Sequence, residues 1–313
     1  GRGGGEWWRG GGGSKREGKT DADPPPFPLP QFNLDQTATQ QPSLWVERWT
    51  DLATRLTKQY PKAAAMSLID ILNEPDAFQV RWTPGNGKPG YGDMALTIMD
   101  ALWKVNPGFL YVLEGCGQHP LAKNWGDGMA TDADLVKKLG LSDPNPFFRA
   151  LLSKPYVGQV IAGPHVYSPS VSSAQEATQG APMYKRLSQS FGYLNKQGYC
   201  DGGNAVGAPS GNCHVFPVVL GETGTGFIDS RDLQPQLDLA TWANAAGAAS
   251  DGLHNPLQGF FWWAWNANGD GAMGIVQSDW TAIDWNKVQY LQRVGLRPSC
   301  AAPPPPPPPP LPT

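Results

Sequence analysis

The 313-residue sequence has few cysteines, no excess of positive charge and no long apolar run. Four cysteines without CxxC spacing exclude a disulfide-rich scaffold and the usual zinc sites. A formal net charge of −3 argues against nucleic acid and anionic membranes as partners. No apolar run reaches the ~18 residues that a membrane-spanning helix needs. The N-terminus shows no charged-then-apolar signal segment, so secretion cannot be inferred from it.

Both ends of the chain have compositions that disfavour a packed core. Residues 1–41 are glycine-rich, then charged, then proline-rich, and we expect a flexible leader there. An unbroken proline run dominates residues 299–313 and favours an extended polyproline II linker or tail, which leaves open a further domain beyond it. Residues 42–298 remain as the folded domain.

Two compositional features of this domain carry expectations. Cys200 and Cys213 bracket a loop rich in Gly, Asn, Pro and Ser, and a disulfide between them would staple it. Two free thiols are the alternative. The sequence also has 13 tryptophans, whose flat faces suit sugar rings, although a single tryptophan more often packs in a core.

Strands and helices alternate along the domain, which predicts an α/β fold with parallel strands joined by right-handed crossovers. The predicted strands are Met66–Leu72, Phe109–Leu113, Val157–Ala162, Phe216–Glu222 and Gly259–Trp263. The predicted helices are Leu44–Tyr60, Asp93–Val105, Met183–Lys196, Gln234–Ala249 and Asp284–Val294. A closed (β/α)8 TIM barrel needs eight strands in about 250 residues. The sheet is therefore either open or the C-terminal five-eighths of a barrel.

Two predicted strands end in a glutamate. Glu74 stands in Asn73-Glu74-Pro75, and Glu222 stands between glycines. Strand-end acids are often solvated loop residues, but parallel strands deliver their carboxyl ends to one face, where α/β barrels keep their chemistry. Retaining glycoside hydrolysis uses two carboxyl groups ~5 Å apart, one as the acid and the other as the nucleophile. The spacing of the two residues does not say which is which.

Four motifs in the chain resemble those of a known family. They are Asn73-Glu74-Pro75, His165-x-Tyr167, Gly221-Glu222 and Trp263-Ala264-Trp265-Asn266, and each stands at or just after the end of a predicted strand. In type and order they resemble glycoside hydrolase family five, of the clan of (β/α)8 retaining hydrolases. The resemblance is to its bacterial-type endoglucanases, or cellulases, and runs from about Ser43 to Leu291.

This resemblance implies catalytic roles for Glu74 and Glu222 and a substrate-binding role for Asn73. Glu74, at the end of the fourth barrel strand, matches the general acid/base of the family. Asn73 matches the amide that hydrogen-bonds the sugar 2-hydroxyl. Glu222, at the seventh strand, matches the nucleophile that forms the covalent glycosyl-enzyme. The resemblance implies no cofactor and no metal.

Four more residues match the substrate-binding part of the family site. His165 and Tyr167, at the sixth strand, match the pair that shapes the site, with the tyrosine hydroxyl on the nucleophile. Trp263, at the eighth strand, matches the platform under the sugar, and Trp125 falls where these enzymes often place another stacking ring. Side chains alternate along a strand, so if Trp263 points into the barrel mouth, Trp262 faces the helices.

The sequence departs from the family at its front. The family has an arginine after the second strand and a histidine near the third, whereas all the histidines here follow the fourth strand: His119, His165, His214 and His254. We therefore expect only strands four to eight of the barrel, with the first three missing. If the protein itself lacks these three strands, we expect it to have poor activity or none.

The function that the resemblance implies is retaining hydrolysis of internal β-1,4 bonds in cellulose-like glucans. We expect an extracellular monomer whose partner is a β-glucan polysaccharide. One alternative is a β-mannanase or another β-glycanase of the clan, because sugar preference depends on loops. Another is a non-catalytic polysaccharide-binding or wall protein derived from such an enzyme.

Overall fold

The computed structural model describes residues 42–294 except 86, 117–120, 228–229 and 268–273. The predicted leader, the proline-rich end and His119 lie outside the described residues. All described residues belong to one compact unit. Within the described part of the chain, no helix is both long enough and apolar enough to cross a bilayer.

Parallel strands form the centre of the fold. The strands are β1 Leu68–Asp70, β2 Leu110–Leu113, β3 Val160–Ala162, β4 His165–Tyr167, β5 Tyr199–Cys200, β6 Cys213–His214, β7 Leu220–Gly224 and β8 Phe260–Trp262. One sheet has the order β1-β2-β3 and a second has the order β4-β7-β8, with all neighbours parallel. The pair β5 and β6 forms a separate antiparallel hairpin.

The two parallel sheets are continuous through the third predicted strand. Ala162 pairs with Val218 in a parallel bridge, and the Gly221 amide donates to the Pro164 carbonyl at 2.9 Å. Gly163 and Pro164 therefore divide one barrel position into β3 and β4. The resulting order, β1-β2-β3/β4-β7-β8, gives the five adjacent parallel positions that the sequence predicted.

Helices surround this array. They are α1 Pro42–Gln59, α2 Pro61–Ala64, α3 Tyr91–Val105, α4 Ala133–Leu139, α5 Asn145–Leu151, α6 Pro169–Ser172, α7 Gly180–Ser190, α8 Leu233–Ala243 and α9 Trp285–Arg293. The five predicted helices correspond to α1, α3, α7, α8 and α9, although the predicted ends of α7 and α8 extend too far. The sequence did not predict α4 and α5, which lie between β2 and β3.

The packed core lies between the sheet and the helices. Ile69, Tyr111 and Leu113 point from the strands into this layer, and α3 contributes Ile98 and Leu102. Trp82, which follows the 3-10 helix Pro75–Phe78, is also buried there and packs against Phe147 at 5.2 Å between ring centroids. This layer holds the strands in place and so fixes their carboxyl ends.

A disulfide closes the β5–β6 hairpin. Cys200 and Cys213 are bonded to each other, as the loop between them suggested. Tyr199 of the same hairpin stacks on Phe148 of α5 with ring centroids 5.1 Å apart. The hairpin is therefore anchored to the core on one side and closed covalently on the other.

Candidate active site

The predicted site residues converge at the carboxyl ends of the strands. Glu74 follows β1, His165 and Tyr167 belong to β4, and Glu222 belongs to β7. In the β4–β7 pair, His165 is the register partner of Glu222. Because residues two apart on a strand share a face, Tyr167 lies on the same side as His165 and donates its hydroxyl hydrogen to Glu222 Oε2.

Glu74 and Glu222 lie side by side around one histidine nitrogen. His165 Nδ1 is 3.1 Å from Glu74 Oε1 and 3.4 Å from Glu222 Oε2. One carboxylate oxygen of each glutamate lies within 4.8 Å of the other. The side chains are 21% and 18% exposed, whereas that of His165 is 1% exposed. The two acids thus share a site that is open to solvent above a buried histidine.

A third glutamate completes the cluster, and the sequence analysis did not include it. Glu114 follows β2, is fully buried, and accepts a hydrogen bond from the Glu74 backbone amide at 2.9 Å. Its Oε1 atom lies 3.3 Å from His165 Nε2. The signal was present, because Glu114-Gly115 ends a predicted strand just as Gly221-Glu222 does.

Burial and charge act in opposite directions on this cluster. Burial opposes the charge of His165, but the contacts with Glu114, Glu74 and Glu222 outweigh it and raise the pKa of His165 to about 10. Burial raises the pKa of Glu114 to about 8 against the attraction of His165. Burial also raises the pKa of Glu222, while the His165 charge and the Tyr167 hydroxyl act to lower it. In the folded chain His165, Glu114 and Glu222 therefore hold their protons to higher pH than the free side chains do.

The remaining predicted residues lie around this cluster. Asn73 is exposed beside Glu74. Trp263 follows β8, is 42% exposed, and donates its amide hydrogen to Thr223 at 2.9 Å, next to Glu222. Trp262 has its ring 5.8 Å from that of Tyr290 on α9. The alternation along β8 thus directs Trp262 to the helices, as expected from the sequence, and Trp263 to the other face.

The loop that carries Trp125 is tied to the site on both sides of that residue. Asn124 accepts a hydrogen bond from the Tyr167 backbone amide at 2.8 Å. Gly126 has a φ of 86°, and a Cβ atom there would lie 2.4 Å from Glu114 Oε2. Trp125 itself is 37% exposed. The structure therefore presents an exposed aromatic side chain next to the acidic cluster.

Among the residues that the structure describes, two overlapping sets of side chains have the residue types of metal ligands. They are Asp70, Glu114 and His165, and Glu74, His165 and Glu222, each with ligand atoms within 4.8 Å. Both sets depend on His165, whose two ring nitrogens already face carboxylate oxygens. The predicted absence of a metal stays a prediction.

The chain is similar in sequence to curated endoglucanases. It is 25% identical over 264 residues to an endoglucanase of Paenibacillus polymyxa, covering 82% of this chain and 55% of that protein. It is 27% identical over 233 residues to the major extracellular endoglucanase of Xanthomonas campestris pv. campestris, covering 72% of this chain and 39% of that protein. No protein-family model matches the chain.

Solved structures show the same relationship at the level of the fold. The catalytic domain of the major endoglucanase from Xanthomonas campestris aligns with a TM-score of 0.52 and 22% identity, covering 81% of this chain and 62% of that one. A hyperthermophilic endocellulase from Pyrococcus horikoshii aligns with a TM-score of 0.55 and 23% identity, covering 81% and 63%.

These relatives are longer than the chain. It spans about half the length of the curated relatives it matches, from 39% to 55% of each. The five adjacent parallel strand positions are those of a partial (β/α)8 barrel. In sequence and fold the chain thus resembles endoglucanase catalytic domains, which confirms the resemblance to glycoside hydrolase family five that its four motifs indicated.

Proposed function

We propose that this chain carries the catalytic residues of a retaining endo-β-1,4-glucanase. The observation that carries the proposal is the separation of Glu74 and Glu222, whose nearest ligand oxygens lie within 4.8 Å. Retaining glycosidases hold their two carboxyl groups about 5–5.5 Å apart, whereas inverting enzymes need about 6.5–9.5 Å to admit a water molecule. The observed separation favours retention.

The two glutamates perform different steps. Glu74 donates its proton to the oxygen of the leaving sugar while a Glu222 oxygen attacks the anomeric carbon, so the glycosidic bond breaks and a glycosyl-enzyme ester forms. Glu74 then takes a proton from a water molecule that attacks the same carbon and releases Glu222. The Tyr167 hydroxyl and His165 Nδ1 both face Glu222 Oε2 and favour its ionised form as the nucleophile.

The proposed substrate class rests on the relatives. The curated proteins are named endoglucanases, and the Pyrococcus horikoshii endocellulase has been solved in a complex with cellotetraose. Exposed tryptophans beside the acidic cluster, Trp125 and Trp263, suit the flat faces of glucose rings. Because the Xanthomonas relative is named an extracellular enzyme, we extend the proposal to secretion.

Hydrolysis of soluble carboxymethyl-cellulose tests the proposal. The full chain should release new reducing ends, and Glu222→Gln should abolish turnover while retaining polysaccharide binding, because it removes the nucleophile and keeps the shape of the site. Glu176→Gln is the matched control, since the Glu176 side chain is 84% exposed and pairs with Lys123 at 4.0 Å, far from the two catalytic glutamates in the sequence.

Each other result points to a named alternative. Cleavage of mannan in place of the cellulose derivative would assign the chain to the β-mannanases. Retention of polysaccharide without new reducing ends would favour the wall-binding alternative. A Glu222→Gln variant with near-normal rate would remove the proposed nucleophile.

A further inference from the structure

We propose that Glu114 is a positioning residue of this site, acting on catalysis through Glu74 and His165. The inference rests on the proposed hydrolase function. It assigns a role in catalysis to a residue that would not contact the substrate. Glu114 is fully buried, yet its carboxyl oxygens face the backbone of one catalytic glutamate and the imidazole ring that joins both.

The first contact fixes the backbone that carries Glu74. Glu74 has φ 47° and ψ 64°, a left-handed conformation that costs energy for any residue with a Cβ atom. Its amide hydrogen is donated to Glu114 Oε2 at 2.9 Å. The chain enters the 3-10 helix Pro75–Phe78 directly afterwards. The Glu114 carboxyl group therefore holds Glu74 in the conformation that turns its side chain toward His165.

The second contact sets the protonation of His165. An imidazole can donate from both nitrogens only when it is protonated. Here Nε2 lies 3.3 Å from Glu114, and Nδ1 lies between Glu74 and Glu222. A carboxyl group behind the ring thus favours a proton on each nitrogen, and a charged His165 in turn attracts the two glutamates in front of it.

Among the described titratable groups around Glu114 and His165, His165 is the one that can carry a positive charge. Those that face Glu114 or His165 in the described part of the chain are Asp70 at the end of β1, Tyr91 on α3, Cys116 after β2, Glu74, Tyr167 and Glu222. They are acids, phenols and a thiol, so His165 is the base among them. The raised pKa of His165 agrees with this environment.

The space around Glu114 admits only an isosteric replacement. A Cβ atom at Gly126 would lie 2.4 Å from Glu114 Oε2, and one at Gly115 would lie 2.4 Å from the Gly128 backbone. The following loop is thus packed closely over the carboxyl group. Glutamine has the same shape and can still accept the hydrogen bond from Glu74, but it cannot carry a negative charge.

Titration of the histidine rings tests the proposal without relying on activity. In the full chain labelled with ¹⁵N-histidine, the His165 signals are assigned by their loss in His165→Asn. We expect wild-type His165 to keep its proton beyond about pH 8, and Glu114→Gln to lower its pKa by about one unit or more. A wild-type His165 that titrates near its ordinary pKa of about 6.5 overturns the proposal, even where the variant does not fold.

Asp251→Asn is the matched control. Asp251 also faces a buried histidine, His254, at 3.1 Å. It belongs to a different cluster, however, with Ser188 of α7 and Trp242 of α8. The asparagine variant should leave the titration of His165 unchanged. An equal shift of the His165 pKa in both variants would make it a general effect of stability and would overturn the specific role of Glu114.

Kinetics on carboxymethyl-cellulose give the second measurement. Above about pH 8, where Glu114 is ionised, Glu114→Gln should lower kcat by roughly ten- to hundredfold, the range of one charge-assisted hydrogen bond, with KM almost unchanged. If the wild type is active and Glu114→Gln has the same kcat, the role proposed for Glu114 is overturned, whereas the hydrolase proposal stands. If the wild type is inactive but its His165 titrates as expected and responds to Glu114→Gln, the placement of Glu114 stands and the hydrolase proposal fails.

Discussion

His165 connects the acidic side chains of the site. Its Nδ1 atom lies near Glu74 and Glu222, its Nε2 atom lies near Glu114, and its side chain is 1% exposed. In such a buried environment each contact is stronger than it would be in water. A change at any one of these carboxyl groups is therefore expected to alter the ionisation of His165.

Tyr167→Phe should move the acid limb of the pH profile toward higher pH. The Tyr167 hydroxyl donates to Glu222 and favours its charged form, so its loss raises the Glu222 pKa further. A hydrogen bond to a charged group contributes about 1.5–3 kcal/mol, which corresponds to about one to two pH units. The pH dependence of kcat/KM for the free enzyme measures this shift.

Tyr290→Phe serves as the control for this prediction. The Tyr290 hydroxyl donates to Gln236 at 3.1 Å between α9 and α8, away from the carboxyl groups. Its loss should leave the acid limb in place. An acid limb that does not move in Tyr167→Phe would mean that the tyrosine does not act on the ionisation of Glu222.

The sequence identified the residues of the site better than their contacts. Glu74 and Glu222 could be predicted because each stands at the end of an apolar run, where parallel strands bring side chains together. His165 and Tyr167 were predicted from the resemblance of their motif to that of the family. The geometry of Glu114 could not, since its burial depends on the loop over it and on the imidazole behind Glu74. The sequence around an acidic residue at the end of a strand does not show whether its side chain faces solvent or the core.

The interruption between β3 and β4 places His165. Gly163 lies so close to β2 that a Cβ atom would approach Val112 Cγ1 to 2.3 Å. Pro164 has no amide hydrogen for the ladder, but its carbonyl accepts from Gly221. The chain thus passes from the β2 side to the β7 side within two residues, and His165 emerges opposite Glu222.

Gly163→Ala should destabilise the fold through this contact. Val112 is a β-branched strand residue with restricted χ1, so it cannot turn aside at low cost, and overpacking of this kind costs about 1–3 kcal/mol. Urea denaturation of the full chain gives the change in the free energy of unfolding. Gly158→Ala is the control, because no atom of the described residues lies within 4 Å of a Cβ atom there. Equal stability of the two variants would contradict the proposed close contact.

The elements that the sequence predicted are those with a regular apolar pattern. The strand positions and α1, α3 and α9 follow from such runs and from flanking prolines or capping residues. The short helices α4 and α5 were not predicted, because seven residues give barely two turns of periodicity. Their starts were readable, since Asp132 caps α4 through its side chain and Pro144 and Pro146 flank the start of α5.

At the scale of the whole molecule, the two faces of the parallel array differ. The face toward the helices carries the buried core, including Ile69 and Tyr111. On the opposite face Leu68, Leu110 and Phe261 are 40% to 53% exposed. The helix–sheet layer therefore supplies most of the apolar burial of the described residues, while the other face carries the acidic cluster at the carboxyl ends of its strands.

This cluster makes the stability of the chain depend on pH in a definite direction. The pKa of His165 rises from 6.5 to about 10 on folding, so its contribution is complete below about pH 6.5 and is lost as the pH approaches 10. The pKa of Glu114 rises from 4.5 to about 8, so the folded state again holds the proton more tightly. The pKa of Asp251 is lowered from 3.8, and its contribution is already complete in this range.

We therefore expect the free energy of unfolding to fall as the pH rises from about 6 to about 9, since the unfolded chain binds fewer protons than the folded one. Urea denaturation at several pH values measures this slope, and His165→Asn should reduce it because that variant lacks the imidazole that holds the proton. Asp251→Asn, which leaves the cluster intact, should keep the wild-type slope. Stability that increases across this range would mean that burial leaves His165 neutral, and the attraction that brings Glu74, Glu114 and Glu222 around one ring would then need another source.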